Sequence, residues 1–238
     1  MKLVVRLFAG LRERAGGSEI ALEGLPEGID VGALKKELER RYPALGSLAH
    51  VRGAVGTEYV VDARPLEEGE TLVLIPPVSG GSGKKPSAAE AEDLARGVFE
   101  LSEKAIDPAR CAERVKSPAC GAITTFTGTT RETNRGRAVV RLEYEAFEEM
   151  TAAEMSRIFA RCREKVATSP DRELRMLVQH RIGTVKVGEP SVAIAVASPH
   201  RDAAFAACRF LIDELKKSMP IWKKEIYSDG EEWIGERS

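Results

Sequence analysis

Pro76-Pro77-Val78-Ser79-Gly80-Gly81 is the stretch whose reading decides how the chain is divided. Paired glycines carry no side chains and adopt whatever backbone angles a narrow channel imposes. A free Gly-Gly end can therefore thread such a channel and present its carbonyl carbon to another active site. Here the chain runs on into Ser82-Gly83-Lys84-Lys85-Pro86, and by composition alone Gly80 to Gly83 is a plain flexible linker. The flanks decide between the two readings.

Upstream, Lys2 to Phe8 is aliphatic and β-branched and predicts a strand. Gly16-Gly17 turns the chain into a short second strand at Glu19 to Leu22, which makes a hairpin. Asp30 stands as an N-cap ahead of Val31, Leu34, Leu38 and Tyr42 at helical spacing, and Pro43 closes that helix. Strands follow at Val51–Val55, Glu58–Val61 and Thr71–Ile75, the last running into the Gly-Gly stretch. Downstream, Ser87 and Glu90 form a capping box for a short helix over Ala88 to Arg96.

Beyond it, Gly121–Thr127, Val139–Phe147, Leu174–His180 and Ser191–Ala197 read as strands. Thr151–Val166 is an amphipathic helix, and a second helix starts at Ser198-Pro199, runs through Cys208 and Leu215, and stops at Pro220. The class is α+β.

With 238 residues, two modest domains are expected: 1–81, a linker with a possible short helix over 82–98, and 99–238. Charge is near balance, 10 basic against 12 acidic residues up to Gly81 and 26 against 25 after it. That excludes a polyelectrolyte and gives no sign of a nucleic-acid or membrane partner. The cysteines, Cys111, Cys120, Cys162 and Cys208, have no C-x-x-C spacing, which argues against a zinc site and a disulfide framework and fits a reducing cytoplasm. Arginines interrupt the N-terminal apolar run, so it reads as a strand rather than a signal peptide.

Three polar clusters stand out in the second half. Phe126-Thr127-Gly128-Thr129-Thr130-Arg131 runs from strand into loop, and Ser198-Pro199-His200-Arg201 lies at a helix start, where free N–H groups favour an anion. Leu215 to Glu225 carries Lys216 on the last helical turn and Lys223 just past the proline. Each alone is readable as a solvated charge, a cap or a dipole partner. Together they suggest an anion pocket.

These segments carry a resemblance. The first half, with "RLFAGLRE" (6–13) and "RPLEEGETLVLIPPVSGG" (64–81), resembles the small subunit of molybdopterin synthase, a ubiquitin-like β-grasp sulfur carrier. The second half, with "FTGTTR" (126–131), "SPHRDAAF" (198–205) and "LKKSMPIWKKE" (215–225) in order, resembles the large subunit of the same family. "FELSEKAIDP" (99–108) and "HRIG" (180–183) agree. The resemblance implies an N-terminal β-grasp domain followed by an α/β-hammerhead-like large-subunit domain.

It also implies a reaction: sulfur carried as a thiocarboxylate on the carrier's terminal glycine passes to cyclic pyranopterin monophosphate, and two rounds build the dithiolene of molybdopterin. Carried over position by position, Lys216 and Lys223 match the catalytic lysines, and Phe126, Arg131, His200 and Arg201 match the substrate-binding residues. Gly80 and Gly81 form the sulfur-carrier terminus. Arginine forks suit phosphate. Lys216, set among Lys217, Lys223 and arginine charges, is expected to act as acid and base, with Lys223 stabilising the oxyanion. No permanently bound cofactor and no metal are implied.

The implied partners are a second copy of the chain, a ubiquitin-activating-like adenylyltransferase and a sulfur donor. Because Gly81 is here an amide to Ser82, a protease acting between them is a further expected partner. Two other readings remain: an uncleaved, non-catalytic scaffold, and a sulfur carrier for a different pathway. Docking of the tail in cis or in trans, and which protomer supplies His200 and Arg201, stay open.

Overall fold

A computed structural model describes residues 1–76, 90–166 and 173–234 of the chain. Gly80, Gly81 and Ser82 lie outside the described residues. The described chain forms two compact units, one of residues 1–76 and one of residues 90–232, the last strand of the second running on to Ile234.

The first unit runs β1 (Leu3–Leu7), α1 (Ala9–Ala15), β2 (Glu19–Leu22), α2 (Val31–Arg41), a 3-10 turn (Pro43–Leu45), β3 (Arg52–Val55), β4 (Glu58–Val60) and β5 (Thr71–Ile75). The strands order as β2-β1-β5-β3-β4, with β1 and β5 parallel at the centre. That is the β-grasp topology, and it delivers the chain to Pro76 from the middle strand of the sheet. Val5, Leu72 and Leu74 of the central strands pack with Leu34 and Leu38 of α2. The Asp30 carboxylate accepts from the Ala33 N–H at 2.7 Å, so the cap expected from sequence is made. Helix α1 was not expected. It spans only two turns, too few for a 3.6-residue period to show, and buried Leu11 anchors it.

The second unit runs α3 (Glu90–Arg96), β6 (Val98–Ser102), α4 (Pro108–Val115), β7 (Ala122–Thr129), β8 (Thr133–Asn134), β9 (Arg137–Ala146), α5 (Glu148–Val166), β10 (Arg175–Arg181), β11 (Gly183–Lys186), β12 (Pro190–Ser198), α6 (Arg201–Ser218), β13 (Ile221–Tyr227) and β14 (Gly230–Ile234). Its strands form one sheet ordered β6-β10-β12-β7 and another ordered β11-β9-β13-β14.

Strand β12 shows why helices cover both faces of the first sheet. Its odd and even positions point to opposite sides. Val192, Ile194 and Val196 join the core made by Ile158 and Phe159 of α5 and Leu211 and Leu215 of α6. Ala193, Ala195 and Ala197 face Cys111 and Val115 of α4. Small residues on that side let a short helix lie close. Full burial of each large aliphatic side chain contributes about 1.5–3 kcal/mol.

The start of α6 differs from expectation. Ser198 still pairs with Ala122 in the β12–β7 ladder, and His200, extended at φ −128° and ψ 146°, is the residue before the first turn. Ladder pairing to the end of β12 outcompetes a serine cap, so the helix begins at Arg201.

Gly97, between α3 and β6, has φ +104°, and a Cβ there would lie 2.3 Å from the Phe159 ring. Gly97→Ala is therefore expected to destabilise the protein by about 3 kcal/mol or more, through left-handed strain and overpacking together. Chemical denaturation measures this, and Phe159→Leu should relieve part of the loss.

Candidate active site

A cavity of about 290 Å³ opens in the second unit where α6, β7, β9 and β13 meet. Three elements bring the cations expected from sequence to its wall. Helix α6 presents Ile212, Leu215 and Lys216 at i, i+3 and i+4 spacing, on one side. Strand β7 supplies Phe126, and the loop that follows supplies Arg131. Strand β13 supplies Lys223 and Glu225, whose neighbours across the ladder, Tyr144 and Leu142 of β9, line the cavity with them. Pro220 ends α6 and begins the extended chain, so Lys216 and Lys223 reach one cavity from a helix and a strand.

His200 and Arg201 do not line it. They sit at the N-terminal end of α6 while Lys216 sits near the other end, and 16 residues of helix span about 24 Å. His200 and Arg201 are exposed, and among the described residues the Arg201 guanidinium approaches Asp202, at 4.0 Å. Within one chain, the second cluster lies apart from the first and the third, which share the cavity.

Carboxylates redistribute the positive charge that the sequence seemed to crowd around Lys216. Lys217 donates to Glu214 at 2.8 Å, and Lys224 pairs with Glu231 at 2.7 Å. Lys223 pairs with the Glu225 carboxylate at 2.7 Å. Among the described residues, Lys216 has neither an ion-pair nor a hydrogen-bond partner. The expected crowding is thus weaker than counted, because Glu214 and Glu225 stand beside the competing lysines.

Glu225 is 3% exposed and carries its charge through three donors. Tyr227 donates its hydroxyl to it at 2.6 Å and Asn134 its amide at 2.8 Å, besides Lys223. Burial pushes the carboxyl up, but the bonds from Lys223, Tyr227 and Asn134 outweigh it and leave Glu225 below the usual carboxylate range.

The cavity also contains neutral polar groups. His180 is buried, and its Nδ1 lies 2.7 Å from the Arg181 carbonyl oxygen. A carbonyl only accepts, so Nδ1 carries the proton and Nε2 keeps a lone pair. The ring stands edge-on to Tyr144, with centroids 5.0 Å apart. Burial lowers the His180 pKa to about 4, against a smaller opposing effect of the Arg181 bond. Burial raises the Tyr144 hydroxyl to about 12, partly offset by its hydrogen bond to Ser191.

His180 makes stability depend on pH. Its folded pKa is depressed below the unfolded value of about 6.5, so the unfolded chain binds the proton first. The stability it permits is complete above about pH 6.5 and falls as pH drops toward about 4. The loss is on the order of 3 kcal/mol. His180→Asn, whose amide can still donate to the Arg181 carbonyl, should flatten that slope in denaturation curves taken across this window.

Glu225, Asn134, Tyr144 and His180 were not singled out from sequence. Glu225 and His180 lay inside quoted motifs, but only the fold shows which residues of a motif face the cavity. The four cysteines are free, and burial raises the thiols of Cys111, Cys162 and Cys208 to about 11, 12 and 11. No helix among the described residues is long and apolar enough to cross a membrane.

The family model of the MoaE protein matches residues 101–218, and that of the ThiS family matches residues 5–81. The molybdopterin synthase catalytic subunit of Bacillus subtilis (strain 168) is 43% identical over 139 residues, covering 58% of this chain and 85% of the relative. The human molybdopterin synthase catalytic subunit is 38% identical over 169 residues, covering 70% of this chain and 87% of the relative. The crystal structure of molybdopterin synthase from Staphylococcus aureus superposes with a TM-score of 0.52 at 36% identity, covering 58% of this chain and 96% of that one. With cavity-lining Lys216 in the matched region, the chain belongs to the MoaE family of molybdopterin synthase catalytic subunits, and carries a ThiS-family, ubiquitin-like domain ahead of it.

Proposed function

We propose that the chain is a molybdopterin synthase carrying its own sulfur carrier, activated by cleavage between Gly81 and Ser82. Family membership supports a role in molybdenum cofactor biosynthesis. The observation that carries the finer reading is the single cavity shared by Phe126, Arg131, Lys216 and Lys223.

In this reading a cytoplasmic protease frees Gly81, an adenylyltransferase activates its carboxylate, and a sulfur donor converts it to a thiocarboxylate. The bare glycine end enters the cavity. Its sulfur bonds to a side-chain carbon of cyclic pyranopterin monophosphate as that carbon's bond to oxygen breaks, the departing oxygen taking its proton from Lys216, and an acyl-sulfur link to Gly81 remains. Water then cleaves the acyl–sulfur bond; Gly81 leaves as a carboxylate and the sulfur stays on the product. A second charged carrier repeats the step.

Arg131 binds phosphate through its planar fork. Phe126 and Ile212 give the ring system an apolar wall. Lys216, with no ion-pair partner among the described residues, takes and returns protons as the acyl-sulfur link forms and hydrolyses. Lys223, held in place by Glu225, faces the oxyanion. No step calls for a resident metal. A homodimer would let His200 and Arg201 of a second copy reach this cavity, which their distance along α6 denies them within one chain.

The test is reconstitution. Residues 1–81 ending in a thiocarboxylate, mixed with residues 82–238, should convert the precursor to the dithiolene. A permanent scaffold or a carrier for another pathway would give no dithiolene.

A further inference from the structure

Glu225 has two oxygens, and they are used differently. Oε1 receives the Lys223 ammonium at 2.7 Å. Oε2 receives the Tyr227 hydroxyl at 2.6 Å and the Asn134 amide Nδ2 at 2.8 Å. The same Nδ2 reaches the Tyr227 oxygen at 3.4 Å, and Oδ1 of Asn134 accepts from the Arg131 guanidinium at 3.3 Å. The amide orientation follows from its neighbours: a guanidinium only donates and an ionised carboxylate only accepts, so a flipped amide would set like against like.

We propose that Asn134 is the positioning residue that ties Arg131 to the Lys223–Glu225 pair, so that the substrate's anion and the oxyanion cation are held at a fixed spacing. This rests on the reading of the cavity as a molybdopterin synthase site. A neutral amide suits the place for three reasons. It donates to the acid without supplying a second cation that would compete with Lys223. It accepts from Arg131 without neutralising the charge that binds phosphate. It also fills Oε2, which leaves Oε1 to the lysine.

The local chain fixes where the amide stands. Asn134 pairs with Arg137 across a two-residue hairpin turn, Arg135-Gly136. Both turn residues have positive φ, 50° and 78°, the pattern of a type I′ turn. Asn134 is thereby held at the end of β8, beside β9 and in reach of β13.

The test compares full-length Asn134→Leu and Asn134→Asp with wild type. One readout is the titration of the Glu225 carboxyl by carbon NMR, assigned with Glu225→Gln; the titratable groups facing it are Lys223, Tyr227 and Tyr144. The other is single-turnover dithiolene formation against pH and substrate concentration, with the sulfur-charged carrier supplied. Asn134→Leu should raise the Glu225 midpoint by about one unit. It should also slow turnover and raise the half-saturating substrate concentration, each by about tenfold.

Asn134→Asp keeps an acceptor for Arg131 but sets a carboxylate against Oε2. It should leave half-saturation near wild type and shift the acid limb of the rate profile upward. This second variant decides the matter should the leucine protein unfold. An unchanged Glu225 midpoint and an unchanged pH profile in the folded variants would overturn the proposal. If wild type makes no dithiolene at all, the functional reading falls, while the Glu225 titration still decides what Asn134 holds.

Discussion

Lys216→Ala is expected to reduce dithiolene formation by about a thousandfold or more while leaving the fold intact. The Lys216 side chain is exposed and has no partner among the described residues, whereas neighbouring Leu215 and Ile212 hold the helix to the core. Its removal should change stability by no more than about 0.5 kcal/mol. Single-turnover rate and thermal midpoint, measured on one preparation, separate these effects. Lys223→Ala has a different signature, because it strands the Glu225 carboxylate in a buried place. It should lower both rate and stability, the latter by about 3 kcal/mol. Equal signatures for the two lysines would mean that the unpaired and paired ammonium groups do not have separate roles.

The second large effect concerns the joint. While Gly81 is an amide it has no carboxylate to activate, so a chain kept whole at that bond is expected to give no turnover. Ser82→Pro, chosen to resist cleavage, should remain at full-length mass in its host and make no dithiolene. Adding separate thiocarboxylated residues 1–81 should restore activity, because the variant's own cavity is untouched. An active, uncleaved chain would remove proteolysis from the mechanism.

Much of the fold was legible in the chain. The strands β1, β2, β3 and β5, the Asp30 cap and the long α5 were marked by aliphatic runs, a capping residue and a 3.6-residue period. What was missed includes the seven-residue β13, the eight-residue α4, β6 and several shorter or irregular pieces. Helix α1 makes two turns, β8 has two residues, and α6 begins where a strand ladder, not a serine, decides.

The site divides in the same way. The motifs, through the resemblance they carry, singled out Phe126, Arg131, Lys216 and Lys223, and the fold brings those four to one cavity. It gave no means of seeing that α6 carries His200 and Lys216 to opposite ends. Nor did it show Glu225, Asn134 and His180, since a buried acid, an amide at a turn and a neutral histidine acquire meaning only from what faces them. Spacing reveals faces of helices and strands; it does not reveal which loop folds back over them.

The most direct measurement follows the sulfur itself. Residues 1–81, isotopically labelled in the Gly81 thiocarboxylate sulfur, are mixed with residues 82–238 and the cyclic precursor, and the product is analysed by mass. The label should appear in both dithiolene positions after two rounds, with Gly81 recovered as a carboxylate, and the transfer should vanish with Lys216→Ala. Label that remains on Gly81, or a dithiolene that forms without it, would contradict delivery of sulfur by the diglycine end to the Lys216–Lys223 cavity.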